Sequence, residues 1–428
     1  MVVLRFLYDL FIGAMSVGMH VAALFNEKTR KGIGGRRNWR TLLRVSLLAE
    51  KKPTVWVHAA SLGEFEQGRP VIEAIRAQFP DWRIVLTFFS PSGFEIRKNY
   101  AQADLVCYLP LDTRRNAFDF LEIIRPDVAI FVKYEFWANY LFELKKRGIP
   151  TLLVSALFRE KQPFFQWYGA FWRRMLACFS HFFVQNHFSE KLLQSIGFQN
   201  ITVAGDTRVD RVLQLAAQAP ENAVLKSFSK NNNKDTTYLL IAGSTWPADE
   251  AILLNVKRRP VADEVKFIFA PHDPSSTAVS RLKAMCPQDE FGVVFTYSEV
   301  GPANAGAATT LIIDNVGMLN TLYRYGRVAY IGGGFGKGIH NTLEPAAYGL
   351  PVIFGPKYEK FEEAREFVAR GGAFVVRNAY ELEAVLQQLQ SPGFYENASR
   401  AVQAYLEENR GATDKILEFL RLESCKFL

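Results

Sequence analysis

A chain of 428 residues, 49% of them hydrophobic, is long enough for two domains with separate cores and too apolar to be disordered. Its formal net charge of +8 fits an acidic partner, whether phosphorylated ligand, nucleic acid or anionic membrane, as well as it fits an ordinary basic soluble protein. The cysteines, Cys107, Cys178, Cys286 and Cys425, form no CxxC pair, so neither a zinc site nor a disulfide framework is expected, and a reducing, cytosolic setting fits.

Residues 1–25, MVVLRFLYDLFIGAMSVGMHVAALF, are apolar apart from Arg5, Asp9 and His20 and carry no secretory cleavage pattern. The length meets the roughly 20 residues of a spanning helix, but the ionisable groups make spanning costly. The basic run that follows, KTRKGIGGRRNWR at 28–40, makes residues 1–40 read as a membrane-associating helix with a cytoplasmic basic flank, ahead of an ordinary packed helix.

From residue 54 short apolar runs alternate with helical patterns: TVWVHAA (54–60), RIVLTFFS (83–90), LVCYLPLD (105–112), VAIFVKYEF (128–136), TLLVSALF (151–158), HFFVQN (181–186) and ITVAGD (201–206). Continuous rather than alternating hydrophobicity predicts strands covered on both faces. Between them, RNAFDFLEIIR (115–125) places Phe118, Leu121 and Ile124 on one helix face, and WANYLFELKKRG (137–148) ends in the Lys, Arg and Gly of a helix C-terminus. The polar stretch 215–235 reads as a linker. The alternation restarts with YLLIAGS (238–244), VKFIFAPHD (265–273), TTLIIDNVG (309–317), RVAYIGGG (327–334), PVIFGP (351–356) and GAFVV (372–376), and a helix-rich segment closes the chain. The pattern predicts an α/β protein of two Rossmann-like, doubly wound parallel sheets, 41–214 and 236–400, facing a central cleft, with 401–428 packing back toward the first.

Chemistry-bearing residues cluster at predicted strand ends. In SLGE, Ser61 to Glu64 form a helix N-terminal capping box, yet the same carboxylate stands just past a strand, where open α/β sheets bind ligands. Pro70 lies six residues beyond Glu64 and would cost about 3 kcal/mol inside a helix. The reading favoured here starts the regular helix near Pro70 and leaves Glu64 facing the cleft. In KYEFW, Glu135 sits amid aromatics at a strand end, a candidate for acid–base or sugar chemistry rivalled by a first-turn helix acid. GDTRVDR (205–211) offers Arg208 and Arg211 for an anion, or for a salt bridge to Asp206 or Asp210.

APHDP (270–274) puts Pro271 and His272 at another strand end. The glycine-rich IGGGFGKGIHN (331–341) follows a strand. It is no P-loop, since Ile331 stands where the first Gly belongs and Gly338 follows Lys337, and Lys337 also breaks a GxGxxG reading. Five glycines beside Lys337 favour a ligand loop over a structural turn. With Ser244 and Thr245 before it, Gly333, Gly334 and Lys337 are candidate phosphate or sugar contacts. Glu344, in NTLEP, suits a ribose diol and a dipole-stabilised helix start equally. No histidine spacing suggests a metal site.

In order, WVHAASLGE, KYEFW with Asn139, SALFR (155–159), GDTR, GSTWPADE (243–250), APHDP and GGGFGKGIHNTLEPAAYGLPVIFGP resemble the Kdo transferases, which attach 3-deoxy-D-manno-octulosonic acid (Kdo) to the lipid A precursor in lipopolysaccharide synthesis. The resemblance spans nearly the whole chain. It implies a GT-B fold, an inverting transfer from CMP-Kdo to lipid IV-A without metal or cofactor, an N-terminal acceptor domain and a C-terminal donor domain. It further implies a place on the cytoplasmic face of the bacterial inner membrane, with anionic lipids but no nucleic acid as partners. By position Glu64 matches the family's general base, and Glu135 and Arg208 its transition-state stabilisers, Lys being common where Arg208 stands. Pro271 and His272, then Gly317, Met318 and Leu319, then Asn341, Thr342, Leu343 and Glu344, match its three CMP-binding segments. His272 stands where Arg is common, and Met318 where an acid is usual. Another GT-B transferase or epimerase with a different donor, and a catalytically inactive lipid or nucleotide binder, are the alternatives.

Overall fold

The computed structural model describes residues 2–46, 52–230, 238–257 and 265–427. They divide into two compact units, Met1–Asp210 with Asn409–Leu428, and Arg211–Glu408.

The first unit is built on β1 (Thr54–Ala59), β2 (Arg83–Phe88), β3 (Leu105–Tyr108), β4 (Val128–Val132), β5 (Thr151–Ala156), β6 (His181–Val184) and β7 (Ile201–Val203), all parallel, in the order β3-β2-β1-β4-β5-β6-β7. Both faces of this sheet are covered. Val55, Val57 and Ala59 of β1 enter one core cluster, and Trp56 enters the other with Phe120, Phe131 and Tyr140. That double burial is why the strands read as unbroken apolar runs.

The second unit repeats the plan with β8 (Tyr238–Thr245), β9 (Val265–Pro271), β10 (Val294–Thr296), β11 (Thr310–Ile312), β12 (Val328–Ile331), β13 (Val352–Phe354) and β14 (Ala373–Val375), in the order β10-β11-β9-β8-β12-β13-β14 and again parallel. The expectation of two doubly wound sheets is met, with β10 added at an edge.

Two local readings change. The helix after β1 is Leu62–Gln78, with Pro70 inside it. The regular helix therefore does not begin near Pro70. The Ser61–Glu64 capping box starts it, and burial of Phe65, Val71, Ile72 and Ile75 at about 1.5–3 kcal/mol each outweighs the proline penalty. The stretch read as a linker is partly helical: residues 215–218 end the helix Thr207–Gln218, and Ala223–Phe228 is a further helix with Leu225 and Phe228 buried. Its Asn/Lys cluster, 231–235, lies outside the described residues. The C-terminal helix Ala412–Phe427 belongs to the first unit. Asp210 accepts from Gly411 N at 2.6 Å and Thr413 N at 2.7 Å, and Ala412, Ile416 and Leu420 join the core beside β1.

The N-terminal helix Val2–Phe25 rests on the first unit by one side. Tyr8 donates to Asp112 Oδ2 at 2.6 Å, Asn139 Nδ2 donates to Asp9 at 3.0 Å, Arg5 reaches Asn139 Oδ1 at 3.3 Å, and Ile12 is buried. Phe6, Leu7, Leu10, Phe11, Val17 and Val21 remain exposed. Two of the ionisable residues that weigh against spanning, Arg5 and Asp9, are thus spent on contacts with the protein itself.

Candidate active site

In an open α/β sheet, ligands bind beyond the carboxyl ends of the strands, where strand order reverses. In the first sheet that point lies between β1 and β4. His58 is the penultimate residue of β1 and fully buried. Its Nδ1 lies 2.9 Å from Thr87 Oγ1, and its Nε2 lies 2.9 Å from Glu135 Oε2. Trp137 Nε1 donates to the same Glu135 oxygen at 2.6 Å. The Trp137 ring packs on Phe89 at 4.7 Å. Glu135 reaches this place because the chain leaves β4 through Lys133, held at φ 66, a left-handed conformation that costs a non-glycine residue about 1–3 kcal/mol.

Glu64 stands one turn into the helix after β1. Its Oε2 accepts from Ser61 N at 3.1 Å. The expectation that the carboxylate turns away from its cap is therefore corrected, because the capping bond is made. Burial and the neighbouring Glu135 charge push the Glu64 carboxyl above its ordinary range, against a smaller opposing pull from His58 and the Ser61 and Ala60 backbone. Glu64, Glu135 and His58 thus form one electrostatic group.

Arg208 follows β7 and is paired with Asp206, Nη2 to Oδ2 at 2.6 Å and Nε to Oδ2 at 3.0 Å. This is the salt bridge that the sequence offered as its alternative. Burial raises the Asp206 carboxyl, but the Arg208 guanidinium and the Lys133 charge outweigh it and hold it below its usual range. Ser155 at the end of β5, with φ 53, meets Thr207 Oγ1 at 2.9 Å. Strained strand ends and paired charges gather on this one edge of the sheet.

In the second sheet strand order reverses at β8. Asp249, fully buried, accepts from Gly333 N at 2.9 Å, from Trp246 N at 2.9 Å and from Tyr330 OH at 3.0 Å, and so ties the glycine-rich loop to the end of β8. The glycines are largely a packing requirement. A methyl group at Gly332 would stand 2.2 Å from the Ser244 carbonyl oxygen, and one at Gly334 2.6 Å from Gly355 Cα. Gly333 has φ 93 and Ser244 φ 54. Thr245 Oγ1 donates to Glu250 at 3.3 Å, and Lys337 is exposed.

His272, just past Pro271, stacks on Trp246 at 4.5 Å and on His340 at 4.6 Å, while Trp246 Nε1 donates to His340 Nε2 at 3.1 Å. Burial and the His272 charge pull His340 below its ordinary range. Gly317 has φ 89, Met318 caps the short helix Leu319–Tyr323, and Leu319 and Tyr323 lie against the bare Cα of Gly243. Asn341 Oδ1 accepts from Leu343 N at 3.0 Å, and its Nδ2 donates to Glu344 at 3.0 Å. Burial first, and the Glu344 charge second, push the Tyr323 phenol upward. Buried polar atoms without a hydrogen-bond partner among the described residues include Thr342 Oγ1, Tyr323 OH, Asn320 Oδ1 and Tyr348 OH.

The sequence-selected acids Glu64 and Glu135 are thus brought together, and so are His272, the glycine-rich loop and the Asn341–Glu344 segment around the end of β8. His58, Trp137, Asp249, Trp246 and His340 were given no role, although all five stand inside the motifs WVHAASLGE, KYEFW, GSTWPADE and GGGFGKGIHN.

Two doubly wound sheets, each with its polar cluster at the switch point, define an α/β protein of the GT-B class. A UDP-GlcNAc 2-epimerase from Neisseria meningitidis bound to UDP-GlcNAc shares the fold at a TM-score of 0.57, with 16% identity over 86% of this chain and 99% of that one. Residues 36–211 match the family model for 3-deoxy-D-manno-octulosonic-acid transferase (kdotransferase). The 3-deoxy-D-manno-octulosonic acid transferase of Aquifex aeolicus is 28% identical over 86% of this chain and 94% of its own length. That of Haemophilus influenzae is 26% identical over 86% of both chains. The chain is thus similar, over most of its length, to Kdo transferases, a class of glycosyltransferase.

Proposed function

We propose that this protein transfers Kdo from CMP-Kdo to lipid IV-A, with inversion, in lipopolysaccharide synthesis. The observation that carries the reading is the Glu64–Glu135 pair: two half-buried to buried carboxylates at one switch point, with the Glu64 carboxyl raised by burial and by its neighbour. Such a pair separates the roles of two like acids. Glu64 takes the proton from the acceptor hydroxyl as that oxygen bonds to the anomeric carbon of Kdo. The bond from that carbon to the phosphate oxygen breaks, and CMP leaves with the electron pair. A positioned base of this kind is worth roughly 100- to 10,000-fold. Glu135 holds the reacting geometry and Arg208, drawn from its Asp206 pair, meets developing negative charge.

The donor binds at the end of β8. Pro271 and His272, Gly317 to Leu319 and Asn341 to Glu344 contact CMP, and Ser244, Thr245, Gly333, Gly334 and Lys337 contact phosphate or sugar. No metal or cofactor takes part. The exposed apolar side of the N-terminal helix lies against the cytoplasmic face of the inner membrane, with Lys28, Arg30 and Lys31 beside anionic headgroups.

The test is incubation with CMP-Kdo and lipid IV-A, reading product mass by mass spectrometry. A gain of one or more Kdo units is expected. Transfer from a UDP-sugar, or its epimerisation, with none from CMP-Kdo would overturn the donor. CMP binding without turnover would make the protein a binder.

A further inference from the structure

Glu135 is held by a chain of side-chain contacts that begins at Trp56. Trp56 Nε1 donates to Thr87 Oγ1 at 2.8 Å. With that oxygen already accepting, the Thr87 hydroxyl hydrogen has His58 Nδ1 at 2.9 Å as its nearer acceptor, against Val57 O at 3.4 Å. Nδ1 also lies 3.1 Å from the Thr87 carbonyl oxygen and Nε2 lies 3.1 Å from Trp137 Nε1, but the shorter contacts, Thr87 Oγ1 and Glu135 Oε2 both at 2.9 Å, are met together when Nδ1 accepts and the imidazole proton sits on Nε2. Trp137 adds a second N–H to the same oxygen at 2.6 Å. Two N–H donors on one carboxylate oxygen fix its orientation.

We propose that His58 is a positioning residue for the transfer reaction: with Trp137 it grips one oxygen of Glu135 and holds that carboxylate in one orientation beside Glu64. The Trp56–Thr87 pair sets the tautomer that makes this possible. The inference rests on the transferase reading of the two acids. Its consequence is a carboxylate whose orientation is set before substrate arrives, as preorganised catalysis requires.

The experiment measures kcat and KM for CMP-Kdo of H58F, H58Q and W137F on the full chain, with lipid IV-A as acceptor. H58F removes the donor and keeps an aromatic ring. H58Q keeps an N–H in reach of Glu135. Without its donor Glu135 loses its fixed orientation. H58F should lose about tenfold or more in kcat, with KM within about twofold, while H58Q recovers most of that rate. An H58Q rate as low as that of H58F, or a loss that falls on KM rather than kcat, would make His58 a packing residue and overturn the proposal. Should H58F fail to fold, W137F, which lacks the other N–H, carries the same test: a lower kcat at unchanged KM supports the clamp and an unchanged kcat overturns it. E64Q and E135Q separate the premises, because wild-type turnover in both would remove the transferase roles of the acids themselves.

Discussion

At the switch point of the first sheet, Glu135 accepts from Trp137 and lies within hydrogen-bond reach of His58, Glu64 accepts its own cap and Asp206 holds Arg208. At that of the second, Asp249 is equally well engaged, but Thr342 Oγ1, Tyr323 OH, Asn320 Oδ1 and Tyr348 OH are buried with no partner among the described residues, and the Glu344 charge acts on both tyrosines. Near the first site Gln67 Oε1 is likewise without a partner among the described residues. A buried polar group left unpaired costs about 1–3 kcal/mol. The first site therefore has its charges arranged before any substrate arrives, as electrostatic catalysis requires. The second carries polar capacity that a nucleotide's many donors and acceptors can use.

The largest effect should come from removing the one group assigned to take a proton. E64Q keeps the shape of the side chain and an acceptor for the Ser61 cap. Turnover should fall by roughly 100- to 10,000-fold, with CMP affinity, read by calorimetry, within about twofold of wild type. Retained turnover would sink the base assignment and, with it, the contrast between a charged site and a nucleotide site. The wild-type pH profile sharpens the same point. Glu64 acts only when ionised, and burial and Glu135 raise its carboxyl. Activity should therefore be lost, as pH falls, above the range of an ordinary Glu near about 4.3.

Next in size is a substitution that attacks the second site through its backbone. In G332A the new methyl would overlap the Ser244 carbonyl oxygen at 2.2 Å and Thr245 Cα at 2.7 Å, and neither backbone can yield without moving the end of β8. CMP binding should be lost, and the melting temperature should fall by several degrees, as about 2–3 kcal/mol of strain implies. G336A is its control: the nearest atom to a methyl there is Gly333 O at 3.5 Å. If both variants bind CMP alike, the loop is not pinned as its contacts indicate.

How much of this the sequence disclosed follows from the range of each interaction. The strands were legible because burial on both faces writes an uninterrupted apolar run, as in TVWVHA and VKFIFAP. β10 was passed over because its three residues sit inside FGVVFTYSEV, too short to show a period. The SLGE cap is a local signal and was read, but Pro70, also local, was weighted above a packing gain that only the folded core reveals. His58 and Glu135 are 77 residues apart, so nothing near either predicts their contact. The glycines of 332–338 looked like a phosphate loop, whereas Gly332 and Gly334 are needed where two backbones nearly touch.

The smallest effect is the most diagnostic of the contrast, because its two parts have opposite signs. Y323F removes a hydroxyl that is fully buried and unpaired among the described residues, and T342V does the same with a side chain of equal shape. Losing an unsatisfied group relieves desolvation, so the ligand-free protein should gain up to about 1 kcal/mol, or roughly 2–4 °C in the second unit's melting temperature. If the hydroxyl is held for the donor, CMP affinity should fall about tenfold in the same variant. A gain in stability with unchanged CMP affinity would show an ordinary packing defect, and the second site would then be no more open to its ligand than the first. Loss of stability together with loss of affinity would mean that the hydroxyl already has a partner in the folded protein. Only the crossed result, firmer alone and weaker with CMP, fits polar atoms kept unpaired for a ligand.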